Sequence, residues 1–204
     1  MRVFHSSGAL GVLALTVVQS TAFAQGTFDR TKPPELGPPP RVALPPIVTR
    51  ELPNGLKLMI VEQHELPLAD FVLLVGSGST TDPTSKTGVA NLTSAMLREG
   101  TATRKSLEIA DQIAFLGINL SPSSSWESST LSLHTPTAQL DSALALFEDV
   151  ELHPSFPSNE FERIRKSRLT DLIRLKDQGP AIANLVFPAI IYGSGHPYGA
   201  ATLG

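Results

Sequence analysis

Gly88-Val89-Ala90-Asn91-Leu92-Thr93-Ser94-Ala95-Met96-Leu97-Arg98-Glu99-Gly100-Thr101 is the stretch on which the reading of this chain turns. Val89, Leu92 and Met96 recur at helical spacing and Gly100 is a natural stop, so the pattern predicts a helix over 88–99. On that helix Asn91, Ser94 and Ala95 stand three and four residues apart and share one face. The face offers two neutral oxygens and a methyl group.

Strand signals lead up to this helix. Apolar, β-branched runs on either side of Pro53-Asn54-Gly55 predict a hairpin over 47–61, because Asn-Gly supplies the backbone that a tight turn needs. The run over 68–75 predicts a buried strand that feeds the Gly76-Ser77-Gly78-Ser79 loop. Further on, a helix is expected from a cap at Ser106 to just before Gly117, and strands at 118–121 and 129–134. Two amphipathic helices follow, one with Leu140, Leu144 and Phe147 on its face, the other with Phe161, Ile164, Leu169 and Leu172. His153-Pro154-Ser155-Phe156-Pro157 separates them, and a last apolar helix is expected over 181–192. Early hairpin strands with helices grouped later predict an α+β domain, one sheet covered by helices.

The chain has 204 residues, 41% hydrophobic and 17% charged, enough for a single sizeable core and tails. A net charge of −3 supplies no basic field, which argues against a nucleic-acid partner. There is no cysteine, which excludes disulfides, thiolate chemistry and cysteine zinc sites. Residues 1–24 have the form of an export signal: Arg2, an apolar stretch over 9–18, then Ala22-Phe23-Ala24 before Gln25. The apolar run, about 11 residues against the roughly 20 of a spanning helix, predicts no membrane span once the signal is removed. A secreted or periplasmic destination is expected. Residues 25–46, with Pro33-Pro34, Pro38-Pro39-Pro40 and Pro45-Pro46, read as an extended linker, and 47–204 as the folded lobe.

The segment 88–101 resembles the active-site helix of the M16 zinc peptidases (pitrilysin, insulinase, mitochondrial processing peptidase), whose frame is G-[LV]-A-H-x-x-E-H-M-x-x-x-G-T. Gly88, Ala90, Met96, Gly100 and Thr101 fit it. Other motifs fall in the family's order: Leu52-Pro53-Asn54-Gly55-Leu56, the loop at Gly76, Phe161-Glu162-Arg163, and His196-Pro197-Tyr198-Gly199 with Leu203-Gly204. The resemblance implies an M16 lobe, a mixed, largely antiparallel sheet covered by helices, that stops before the lobe's expected closing strands.

It also implies a lost centre. In the family two histidines and a distal glutamate hold zinc, and the glutamate between the histidines activates its water. Here Asn91 and Ala95 occupy the histidine positions and Ser94 that of the general base. Asp171, 76 residues beyond Ala95, stands where the distal ligand belongs. Amide and hydroxyl oxygens are poor ligands for a borderline-soft ion, and serine cannot replace a carboxylate base near neutral pH. No zinc, and no other cofactor, is expected. His64, His134, His153 and His196 are scattered without ligand spacing, and Asp82, Glu99, Glu108, Arg104 and Lys105 read as ordinary solvated charges. Family members hold extended peptide on an edge strand; its counterpart here includes Asn119, Leu120 and Ser121, with Pro122 removing a backbone donor.

The functional expectation is therefore an exported, non-catalytic partner of an active H-x-x-E-H M16 subunit, holding peptide substrate or shaping a shared chamber. Two alternatives stand beside it. One is a core-type structural subunit with no proteolytic role, and the other a zinc endopeptidase with residual activity through Asp171.

Overall fold

A computed structural model of the chain describes Gly37 and residues 45–204. The export segment and most of the linker lie outside those residues. The chain divides into two compact units, one ending at Val61 and one running from Glu62 to Gly204, each with a sheet of its own.

In the first unit, β1 (Ile47–Glu51) and β2 (Lys57–Val61) pair antiparallel, with Ile47 opposite Val61 and Glu51 opposite Lys57. The turn is the one its sequence predicts. Gly55 takes a φ of 85°, and the Asn54 side-chain oxygen accepts from the Leu56 amide at 3.1 Å.

The second unit is built on three antiparallel strands in the order β3-β5-β4: β3 (Leu68–Val75), β5 (Ser129–Pro136) and β4 (Asn119–Ser124). Leu73 pairs with Leu131, and Leu120 with Leu133. Period-two alternation sends Leu120, Leu131 and Leu133 to one face. There they meet Ile109 and Leu116 of α2 (Ser106–Leu116) and Ala143, Leu146 and Val150 of α3 (Leu140–Leu152). Positions 143, 146 and 150 form one stripe of α3, so strand and helix periodicities converge on a single core, and each fully buried leucine contributes about 2 kcal/mol.

Phe71 and Leu73 of β3 reach that core, while Val72 and Leu74 are 66% and 65% exposed. The strand is thus half-covered rather than buried, because helices lie against one face only and every second residue of an unbroken apolar run must face away. The remaining helices are α1 (Val89–Met96), continued by a 3-10 turn at Leu97–Glu99, then α4 (Ser158–Leu175) and α5 (Gly179–Tyr192). Of the predicted apolar face of α4, only Ile164 is buried. Pro188 lies inside α5. Among the described residues no helix is long and apolar enough to cross a membrane. The α+β class stands as the pattern predicts, with the strands divided between a hairpin and a three-stranded sheet instead of joined in one.

Candidate functional site

Helix α1 is fixed at both ends. Gly88 takes a φ of 89°, and a Cβ there would lie 2.6 Å from the Leu203 carbonyl oxygen, so only glycine fits. Asp82 spans the helix start: its carboxylate accepts from the amides of Gly88 at 2.8 Å and Ala90 at 2.9 Å. It is a remote N-terminal cap and not the solvated loop charge its position suggests. Met96 is buried below the helix. At the far end a Cβ on Gly100 would press to 2.8 Å from Pro157 Cγ.

Thr101 is buried, and its hydroxyl donates to Asp149 at 2.6 Å. The same carboxylate oxygen accepts from Thr103 at 3.1 Å and from the Arg104 guanidinium at 2.5 Å, while Arg104 Nε donates to Gln112 at 2.9 Å. Burial alone would raise the Asp149 pKa; the bonds from Thr101, Arg104 and Thr103, with the Arg104 charge, outweigh it and hold the group below the ordinary carboxylate value. Arg104 is therefore a half-buried structural cation rather than a solvated one. Glu99 likewise has a task, accepting from Ser106 at 2.7 Å and from Arg163 at 2.5 Å. Hydrogen bonds to Glu160 and Glu99 hold Arg163 above the usual guanidinium value. The cap of α2 is Lys105, whose amide donates to Glu108 at 2.8 Å; Ser106 is already the first helical residue.

Between these anchors lie the positions of interest. Ser94 is buried, and Asn91 and Ala95 are half-buried. Arg168, from α4, donates to Asn91 Oδ1 at 2.6 Å and to its backbone oxygen at 3.2 Å. Burial lowers the Arg168 pKa from its ordinary value. Asp171, one turn further along α4, is exposed and lies 3.6 Å from Arg174. This donor set does not fit zinc: one amide oxygen already bonded to a cation, one buried hydroxyl, a methyl group and an outward carboxylate. Among the described residues no cluster of three or more histidine, cysteine, aspartate or glutamate side chains could hold a metal ion. His134 pairs with Asp70 at 2.7 Å and His153 lies 3.7 Å from Asp149. Arg168 was not legible as a site residue, although its place one turn before Asp171 on the same helix was the available signal.

Beside Ala95 opens a cleft of about 400 Å³, lined by Arg98, Glu99, Ser106, Ile109, Arg163 and, from β4, Pro122. In the three-stranded sheet β4 is an edge, paired among the described residues to β5 alone. Its hairpin closes with the Ser125 amide donating to the Ser128 carbonyl at 2.8 Å. Hydrogen-bonded pairs alternate along an antiparallel ladder, so that register turns the backbone groups of 119, 121 and 123 toward β5 and those of 120, 122 and 124 to the free side. Of Asn119, Leu120 and Ser121, then, only Leu120 presents main-chain groups to an incoming strand. Its side chain is core, while Ser121 Oγ donates to Asn119 Oδ1 at 2.5 Å on the opposite, exposed face. Pro122 removes the central outward donor. At the β4–β5 turn, Trp126 meets Tyr198 edge-on at 5.6 Å, and the Tyr198 hydroxyl donates to Glu127, which ties the His196–Gly199 segment to the sheet.

Comparison with known proteins bears on the fold and the family. An uncharacterised zinc protease of Mycobacterium tuberculosis is 27% identical over 167 residues, 81% of this chain and 37% of that protein. The peptidase M16 inactive domain of Pseudomonas fluorescens superposes with a TM-score of 0.73 at 32% identity, over 78% of this chain and 38% of that one. The periplasmic protease PqqL from Escherichia coli shares the fold, with a TM-score of 0.66 at 17% identity, over 78% of this chain and 18% of that one. The chain thus spans a little over a third of the curated relative's length. The model of the insulinase family, peptidase family M16, matches residues 58–192, and the chain belongs to that family.

Proposed function

We propose that this chain is a non-catalytic M16 lobe that works with an active, zinc-bearing M16 subunit, holding peptide or shaping the chamber in which the partner cuts. One observation carries the reading. The residues that pack the metal-site helix are kept and individually engaged, Gly88, Met96, Gly100 and Thr101, whereas the positions that would bind metal and activate water hold Asn91, Ser94 and Ala95. The likeness to a Pseudomonas fluorescens chain described as an M16 inactive domain supports it. The free side of β4, open at Leu120 and Ser124 and interrupted at Pro122, suits weak holding of an extended peptide better than a continuous ladder. Export to the periplasm or beyond is proposed on the segment from Arg2 to Ala24.

The test is reconstitution. The chain is mixed at equal stoichiometry with an H-x-x-E-H M16 protein from the same organism, and cleavage of unstructured peptides is followed. A complex on gel filtration and a gain in kcat/KM over the partner alone are expected. A stable complex without gain would favour the core-type structural role, and cleavage by this chain alone that is lost with a chelator would favour residual peptidase activity.

A further inference from the structure

The ligand positions do not fit zinc, and a cation contacts the first of them. Arg168 Nη2 lies 2.6 Å from Asn91 Oδ1, the side chain at the first ligand position, and 3.2 Å from the Asn91 carbonyl oxygen. We propose that Arg168 is a resident cation in place of the metal: it joins α4 to α1 through Asn91 and bars a divalent ion from the site even if the ligands are restored. This rests on the reading of α1 as a metal-site helix without its ligands.

Three observations carry it. Any ion bound through the side chain at 91 must sit within a few ångströms of that side chain's donor atom, which is the place the guanidinium nitrogen takes. Arg168 is half-buried, and a guanidinium keeps its charge at neutral pH, so a second, divalent cation would meet repulsion that solvent screens poorly. Among the described residues Arg168 forms no ion pair: Asp171 is turned to Arg174, and Glu99 and Glu160 are taken by Arg163. The positive charge that zinc would bring to the α1–α4 junction is therefore supplied by the chain itself.

The experiment uses the full chain carrying Asn91→His, Ser94→Glu and Ala95→His, with residue 168 left as arginine or changed by Arg168→Lys or Arg168→Met. Zinc affinity is read by competition with a chromophoric chelator, and folding by circular dichroism. Arg168→Met should tighten zinc binding by at least about tenfold over the arginine parent, and Arg168→Lys, which keeps the charge, by much less. Equal affinity with and without Arg168→Met, whether both bind or neither does, overturns the proposal. A second arm needs no metal: Asn91→Ala, Arg168→Met and the pair, made in the unaltered chain, are compared by thermal midpoint. The double variant should lose little more than the worse single one, and fully additive losses would rule out the link. Neither arm involves a partner or peptide cleavage, so failure here leaves the subunit role to its own test.

Discussion

Within the helix segment, the residues that fix the helix and those on its Asn91–Ala95 face are held for different physical reasons. Gly88 and Gly100 are held by close approach of other backbone and ring atoms, and Thr101 by a buried bond. Ala95 lines the open cleft, and Asn91 is held by Arg168 from α4. The Asp149 network makes the first point measurable. Its carboxylate is nearly closed to solvent, with a side chain 11% exposed, and removing one partner of such a pair strands the other charge. Asp149→Ala should cost about 3 kcal/mol in urea unfolding; a loss within 0.5 kcal/mol of zero, the order of an ordinary surface change, would contradict the network. Because the folded-state pKa lies below the unfolded one, this stabilisation is complete above about pH 4 and is lost as pH falls through the folded value. The thermal midpoint of the parent should fall in that acid window, and that of Asp149→Asn should fall less. Asp82→Ala removes the cap on the Gly88 and Ala90 amides and should cost about 1 kcal/mol, with Asp82→Asn costing less. None of these partnerships was legible in sequence, since Thr101 and Asp149 lie 48 residues apart and Asp82 stands a whole loop before its helix.

Elements were far more legible than their exposure. Helical spacing located α1, and the Asn-Gly pair located the first hairpin, because each depends on residues within a few positions. The span of β3 could be read while its covering could not: an apolar run is compatible with either one or two buried faces, and only the placement of helices decides. The start of α2 was misplaced by one residue because Ser106 is a good capping type, but its hydroxyl is drawn to Glu99 by tertiary packing. Pro122 is an element-scale device that was visible in both lights. Facing outward from an edge strand, it withholds one donor from any chain that would pair there. Pro122→Thr should supply that donor on a β-favouring residue, and light scattering at 37 °C should show faster self-association of the purified chain. An unchanged rate, with folding intact by circular dichroism, would mean that the free side of β4 is not the route of association.

At the scale of the whole molecule, the α+β class followed from the order of strand and helix patterns and the family from an ordered set of short motifs, while the charge at the α1–α4 junction followed from a contact between residues 77 apart in sequence. That contact sets an expectation about metal and global stability. An ion that binds only the folded chain stabilises it by RT ln(1 + [L]/Kd), so a nanomolar zinc site in 100 μM zinc would add about 7 kcal/mol, a shift of many degrees. With Arg168 on Asn91 and no imidazole at either ligand position, that linkage has nothing to act on. The thermal midpoint of the unaltered chain should therefore move by less than about 1 °C whether the buffer holds excess chelator or 100 μM zinc. Among the described residues, His64 and His134 can contribute only weak binding at higher metal, because they stand on separate elements without ligand spacing. A saturable rise reaching its plateau at one equivalent of zinc would show a site assembled from groups other than Asn91, Ser94, Ala95 and Asp171.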